Sequence, residues 1–274
     1  MRRPFEILLA VCAGLILAFL TLPILALFLR IPPEDLLSQL TSDVAVDALL
    51  VSLKTSLIAH AVVLFLGTPT AYLVATRRFR GRSLVLTLIE LPLVLPPAVA
   101  GIALFAAFGR AGLLGDTLDA AGIHIPFTQA AVVLAIIFVS SPFYLRLGIA
   151  AFEAVDASLI DASRTLGAGP RRTFFRVALP LAAGGLSAAS ALAFARGLGE
   201  FGATIMFAGS LQGVTQTLPL AIYSQLDVDF DVALALGAFL VVVSVAVLLT
   251  VKLLPSWTRF TLLSLAPSGR SDSS

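Results

Sequence analysis

The chain has 274 residues, of which 59% are hydrophobic and only 12% are charged, whereas a soluble domain carries about 25% charged residues. Its formal net charge is +2, and it contains one cysteine, two histidines and no GxxxxGK[ST] phosphate loop. This composition indicates an integral membrane protein and excludes a disulfide framework and a phosphate-loop nucleotide site. We expect no catalytic site, cofactor, metal site or nucleic-acid partner in the chain.

Six apolar runs reach the length of about 20 residues that an α-helix needs to cross the hydrocarbon core. In chain order, the predicted spans are 7–29, 48–75, 84–108, 130–151, 177–207 and 232–254. The first run follows Arg2 and Arg3 as a signal peptide would, but it is too long and no small-x-small cleavage site closes it. We therefore expect a retained first helix and an all-α, polytopic membrane protein with six transmembrane helices.

Basic residues accumulate at the ends and loops on one side of this arrangement, as they do on the cytoplasmic side of membrane proteins. They are Arg2, Arg3, Arg77, Arg78, Arg80, Arg82, Arg146, Arg164, Arg171, Arg172, Arg176, Lys252, Arg259 and Arg270. The alternate loops hold Arg30 and Arg110 and the acidic residues Glu34, Asp35, Asp43, Asp116, Asp119, Asp227, Asp229 and Asp231. This asymmetry predicts cytoplasmic N- and C-termini.

The stretch DASRTLGAGPRRTFFRVALP, residues 161–180, interrupts the apolar sequence between spans four and five. Helical apolar spacing continues through Ala157, Ile160 and Ala162 into this stretch. Gly167 and Gly169 can then end a helix, and Pro170 suits the first turn of the next one. The pattern predicts a short amphipathic helix lying crosswise, a tight turn and a helix that re-enters the membrane. On the residues alone, a basic loop held by lipid headgroups is an alternative.

The same stretch resembles the EAA-x3-G-x9-I-x-LP motif of permease subunits of ATP-binding-cassette importers. Here the motif reads Asp161-Ala162-Ser163, Gly167, Val177 and Leu179-Pro180, with all spacings kept and with Asp for Glu, Ser for Ala and Val for Ile. In that family the motif forms the coupling helix, which docks into a groove on the ATPase subunit. The resemblance implies ATPase-coupling roles for Asp161, Ala162, Ser163, Arg164, Gly167, Leu179 and Pro180.

The resemblance also implies a type I importer architecture, in which residues 1–274 form a single transmembrane permease domain. Within it, span 7–29 would be peripheral, 48–254 the importer core, 153–176 the coupling loop and 255–274 a cytoplasmic tail. The implied partners are a cytoplasmic ATPase dimer, a periplasmic or lipid-anchored oxyanion-binding protein and a second permease, either a copy of this chain or a related one. Arg171 and Arg172 could contact the ATPase or anionic membrane lipids. The implied location is the bacterial inner membrane.

Three further strings resemble the molybdate subfamily of these permeases. They are ALAFARGLGEFGATIMFAGS, ELPLVLPPAVAG and AYLVATRRFRGRSL, and the resemblance covers roughly residues 49–254. Sulfate and tungstate permeases share the first string in looser form, so either anion is an alternative to molybdate. An ion-coupled secondary transporter is the rival of another class, since such proteins carry broken helices and ionisable groups near the membrane midplane. A non-transporting membrane scaffold is a third hypothesis.

Span five carries two charged residues, Arg196 and Glu200, four positions apart on one predicted helix face, where they can pair. Charged residues in spans usually face a bundle interior or an aqueous path. Arg196 could attract a tetrahedral dianion while Glu200 limits how tightly it is held, and a structural salt bridge is the alternative. Small residues recur every four positions on this span and predict close helix packing: Gly185, Ala189, Ala193 and Gly197.

Span three begins with Pro92, Pro96 and Pro97, which remove backbone donors and bend a membrane helix. The three prolines are therefore predicted to form a fixed bend or a gate element that lines the translocation path. His60, within span two, is expected to be a hydrogen-bonded packing residue, and a translocation group is the alternative.

Overall fold

The structure is a computed structural model that describes residues 2–30, 32 and 38–264, and the side chains of 5–30, 32 and 38–250. The described part is helical and contains no β-strand. Its helices are α1 (Arg2–Leu29), α2 (Asp43–Thr76), α3 (Arg82–Val94), α4 (Pro97–Phe108), α5 (Gly115–Ala120), α6 (Gln129–Glu153), α7 (Ala157–Thr165), α8 (Pro170–Thr173), α9 (Leu179–Leu198), α10 (Gly202–Ala208), α11 (Leu218–Gln225) and α12 (Phe230–Ser264). A π-helical turn, Phe174–Ala178, joins α8 to α9.

Five of the six predicted spans are long apolar helices in the described part of the chain. These helices are Phe5–Leu29, Asp43–Thr76, Gln129–Glu153, Pro170–Leu198 and Phe230–Thr250. The sixth is a bent pair, α3 and α4, which together are long and apolar enough to count as one span. The described part therefore has five candidate spans, or six where the bent pair counts as one, in agreement with the predicted polytopic all-α fold.

The bend that the prolines of span three predict is present, and α3 and α4 meet at an angle of 116°. The chain is extended at Leu95 (ψ 132°) and Pro96 (ψ 135°). Pro97 then occupies the first turn of α4, where a backbone N–H would have no acceptor within the helix, so the proline costs no hydrogen bond. Consecutive prolines thus end one helix and start the next.

The prediction for span five was wrong at both ends. The helix begins at Pro170 instead of 177, and it ends at Leu198, so 202–208 forms the separate helix α10. The π-helical turn ends at Ala178, two residues before Pro180, which has no N–H to donate. A widened turn at that point accommodates the proline ring without breaking the helix.

Helix α6 lies at the centre of the fold and packs against α2, α3, α4, α9 and α10. Tyr144 of α6 is buried, and its hydroxyl lies 2.6 Å from the Thr68 hydroxyl of α2. A Cβ atom on Gly67 would lie 2.7 Å from the Tyr144 ring, and one on Gly185 would lie 2.5 Å from the Cβ of Ala151. Small residues therefore let α2 and α9 approach α6 closely, as the stripe in span five predicts.

Two further apolar clusters complete the core. Phe207 of α10 is fully buried among residues of α4 and α6, and Leu236 of α12 is fully buried against α2 and α11.

Helix α1 contacts α12, and none of its apolar stretch is buried within the chain. Helix α12 continues to Ser264, into the segment expected to be a tail. The remaining tail, 265–274, and the acidic loop residues Glu34 and Asp35 lie outside the described residues.

Candidate functional site

The motif stretch forms a short amphipathic helix, α7, as the sequence predicts. Asp156 caps its start by accepting the Ser158 N–H at 2.9 Å, and this hydrogen bond lowers the pKa of the Asp156 carboxyl below its usual value. Ile160 is buried, whereas Asp161, Ala162 and Arg164 are exposed. The helix therefore has one face held by the protein and one face free for a partner.

Gly167 closes α7 through paired hydrogen bonds of the Schellman type. The Gly167 N–H donates to the Arg164 carbonyl at 2.9 Å, and the Ala168 N–H donates to the Ser163 carbonyl at 3.0 Å. Gly167 has φ +81°, in the left-handed region that L side chains avoid, and a Cβ there would meet no atom within 4 Å. Its role is thus backbone conformation rather than close packing.

A side-chain link fixes α7 to the helix that follows it. The Ser163 hydroxyl lies 3.1 Å from the hydroxyl of Thr173, which is fully buried, and also donates to the Ile160 carbonyl at 2.7 Å. Leu179 and Pro180 lie beyond the π-helical turn at the start of α9, Leu179 half-buried and Pro180 exposed. These two motif residues therefore belong to the helix that supports α7 and not to its exposed face.

An open basic groove of about 840 Å³ adjoins the turn after α7. Its lining comprises Gly169, Pro170, Arg171, Arg172, Phe175 and Arg176. Leu166, at the end of α7, exposes 88% of its surface although it is apolar. Exposed apolar and cationic side chains thus flank the exposed face of α7.

Arg196 and Glu200 form an ion pair, with Nη1 2.8 Å from Oε2. The prediction that they share a helix face was wrong, since α9 ends at Leu198 and Glu200 follows the break. Glu200 is almost fully buried, and its other carboxylate oxygen accepts the Ala203 N–H of α10 at 2.7 Å. Glu200 therefore joins the end of α9 to the start of α10.

A small cavity brings several of the predicted path residues together. Its volume is about 130 Å³, and Pro92, Pro97 and Arg196 are among its lining residues. The Arg196 side chain keeps 29% of its surface exposed and forms part of the cavity lining. Pro96 lies at the break between α3 and α4 but does not line the cavity.

The wall of this cavity depends on close contact between α4 and α10. A Cβ on Gly202 would lie 2.5 Å from the Cβ of Pro97, and one on Gly101 would lie 2.7 Å from the Ala203 carbonyl oxygen. Both glycines therefore let the two backbones touch. Sequence analysis missed them, although their positions beside the proline cluster and Glu200 were the available signal.

His60 is a packing residue between α2 and α9, in agreement with the sequence prediction. Its Nε2 lies 2.9 Å from the Ser190 hydroxyl, and its ring meets Phe194 edge to face at 5.2 Å between centroids. In the described part of the chain, no group of three or more His, Cys, Asp or Glu residues could hold a metal ion. The contacts with Ser190 and Phe194 are what place His60 in the packing between α2 and α9.

The chain matches the family model described as "Binding-protein-dependent transport system inner membrane component" over residues 64–259. It is 46% identical to the molybdenum transport system permease protein ModB of Mycobacterium tuberculosis over 90% of this chain and 93% of that protein. It is 39% identical to the ModB protein of Escherichia coli K12 over 80% of this chain and 95% of that protein.

Among solved structures, the fold is similar to a bacterial alginate ABC transporter crystallised in complex with an alginate-bound periplasmic protein. The TM-score is 0.71 at 16% identity, covering 91% of this chain and 93% of the transporter chain. The fold is thus that of an ABC importer permease. With the family match and the two ModB relatives, it follows that the chain belongs to the binding-protein-dependent transport system inner membrane components.

Proposed function

We propose that the chain is the permease subunit of an ATP-driven importer that carries molybdate across the inner membrane. The observation that carries this proposal is α7, a short helix capped at both ends that presents Asp161, Ala162 and Arg164 outside the bundle. A rigid, exposed helix of this kind suits the transfer of force from another subunit. The two ModB relatives are named as molybdenum transport system permease proteins, and molybdate is the oxyanion of molybdenum.

The partner at α7 is an ATPase subunit that binds and hydrolyses ATP. Leu166 supplies an apolar anchor for it, and the arginines of the adjacent groove match an acidic surface. This arrangement requires the α7 end of the bundle to face the cytoplasm, together with both termini. The basic residues at that end support this orientation.

A homodimer of this chain, with one ATPase bound to each α7, completes the transport unit. A periplasmic or lipid-anchored binding protein delivers the anion on the opposite side, as the family description and the alginate transporter complex support. High affinity then resides in the binding protein. The permease needs only a weak and transient site, which agrees with the small number of charged side chains near the cavity.

Arg196 is the residue that we assign to the anion path. Arg196 lines the cavity together with Pro92 and Pro97, and it contacts Glu200 through Nη1. A planar guanidinium retains further N–H donors that suit a tetrahedral oxyanion. The bent pair α3–α4 forms the opposite wall, so a change in its angle would open or close the path.

The direct test is uptake by proteoliposomes that contain the chain, its ATPase and its binding protein. We expect molybdate uptake that requires ATP and is unchanged when proton and sodium gradients are collapsed. Competition by tungstate and sulfate then ranks the three anions. Uptake that runs without ATP on an ion gradient would contradict the proposal and favour a secondary transporter, in which broken helices also occur.

A further inference from the structure

Arg82 connects three helices through one guanidinium group. It is the first residue of α3, its Nη2 lies 2.5 Å from Oε1 of Glu153 at the end of α6, and its Nε donates to the Val74 carbonyl of α2 at 3.1 Å. Two different nitrogens of the fork thus hold two different helices. A lysine ammonium, as a single point charge, cannot reproduce this geometry.

The position of this contact lies between the coupling helix and the bent pair. Glu153 is the last residue of α6, and α7 begins at Ala157 after a short turn. In the other direction, α3 leads from Arg82 to Pro92 and to the cavity that Arg196 lines. A displacement of α7 that pulls on the end of α6 therefore reaches α3 first at Arg82.

The seam between α3 and α6 combines apolar contacts with an open groove, since Leu86 and Ile89 of α3 pack against the core cluster that contains Ile149 of α6. A groove of about 210 Å³ runs along it, bounded by the Arg82–Glu153 pair and by a longer pair, Arg146–Glu90, at 3.7 Å. Apolar contacts hold the middle of the seam, and the two ion pairs add a polar connection across the groove.

The Arg82–Glu153 pair contributes little to folding stability, because both side chains are partly exposed, at 33% and 46%. We propose that Arg82 is a positioning residue that makes α3 move with the end of α6 and with α7. Without Arg82, α7 can still bind the ATPase. A movement of α7 then produces a smaller and more variable movement of the bent pair α3–α4. The transport consequence rests on the proposed function, whereas the geometric consequence does not.

The geometric consequence can be measured as a distance between spin labels in the assembled complex. Labels are placed at Leu159→Cys on α7 and Val94→Cys at the end of α3, both exposed positions, in a Cys12→Ser background. We expect Arg82→Gln and Glu153→Gln each to broaden the distance distribution, and the double variant to broaden it no further. Arg146→Gln, which removes the same charge from the contact between α3 and α6, is the matched control. It should change the distance distribution less than Arg82→Gln does.

The transport consequence is the number of ATP molecules hydrolysed for each molybdate imported. We expect Arg82→Gln to raise this ratio about two- to fivefold, the range that corresponds to an exposed ion pair, without loss of ATPase binding. A purely structural role would lower hydrolysis and uptake together and leave the ratio unchanged. An unaltered distance distribution in both Arg82→Gln and Glu153→Gln overturns the proposal, whereas failure of the wild-type complex to import molybdate overturns only the proposed substrate.

Discussion

Arg196 Nη1 lies 2.8 Å from Glu200 Oε2. Arg196 belongs to α9 and Glu200 follows its end, so the ion pair spans the point where the helix is interrupted. Glu200 also accepts the N–H of Ala203, in the first turn of α10. One carboxylate therefore holds the two helices in register, while its arginine partner forms part of the cavity lining. We therefore expect substitutions of Glu200 to affect mainly stability and substitutions of Arg196 to affect mainly transport.

The first prediction concerns Arg196 and transport. Arg196→Lys keeps a positive charge for Glu200 but loses the additional N–H donors that face the cavity, so we expect uptake of molybdate to fall about tenfold, equivalent to about 1.4 kcal/mol. The assembled complex should keep its thermal stability and its affinity for the ATPase. Uptake at the wild-type rate by Arg196→Lys would assign the residue to structure alone.

The second prediction concerns Glu200 and stability. Glu200→Ala removes the cap of α10 and leaves Arg196 without its partner, and we expect a loss of about 2–3 kcal/mol. The value is below that of a fully buried pair because Arg196 is partly exposed. Thermal unfolding of the purified protein measures it. Asp161→Ala, which removes an exposed partner of Arg164 at 3.4 Å, is the control and should leave the melting temperature unchanged.

The third prediction compares two glycines that flank Ala168. Gly167→Ala places a Cβ in a left-handed conformation at a cost of about 1–2 kcal/mol, and we expect the affinity for the ATPase to fall about tenfold. Gly169→Ala places a Cβ in similarly open space at φ −68°, where no strain arises. Binding of the isolated ATPase by each variant tests the difference. Equal affinities would show that the conformation at Gly167 is not required.

The fourth prediction concerns the hydroxyl pair between α7 and α8. Ser163→Ala leaves the buried Thr173 hydroxyl without this partner, and we expect a loss of about 1 kcal/mol with weaker ATPase binding. Thr173→Val should have a similar effect. The double variant should lose less than the sum of the two single changes, because both remove the same contact. Strict additivity in thermal unfolding would show that the two hydroxyls act independently.

Hydropathy located the spans well because it measures a property that the bilayer requires along each run. Hydropathy did not place the break at Gly199–Phe201, since a broken helix can be as apolar as a continuous one. The bend at Leu95–Pro96 was predictable from its prolines. The end of α7 was predictable because Gly167 and Pro170 act locally. The Arg82–Glu153 contact was not, because it joins residues far apart in sequence and depends on how α3 packs on α6.

Coupling to an ATPase requires that α7 faces the cytoplasm, where it can receive force from that subunit. The most direct measurement is the labelling of Ala162→Cys, an exposed position on α7, in the Cys12→Ser background with a membrane-impermeant thiol reagent. The chain is expressed without the ATPase so that α7 is not covered. We predict labelling in inverted membrane vesicles and none in intact cells, whereas labelling in intact cells would contradict the account.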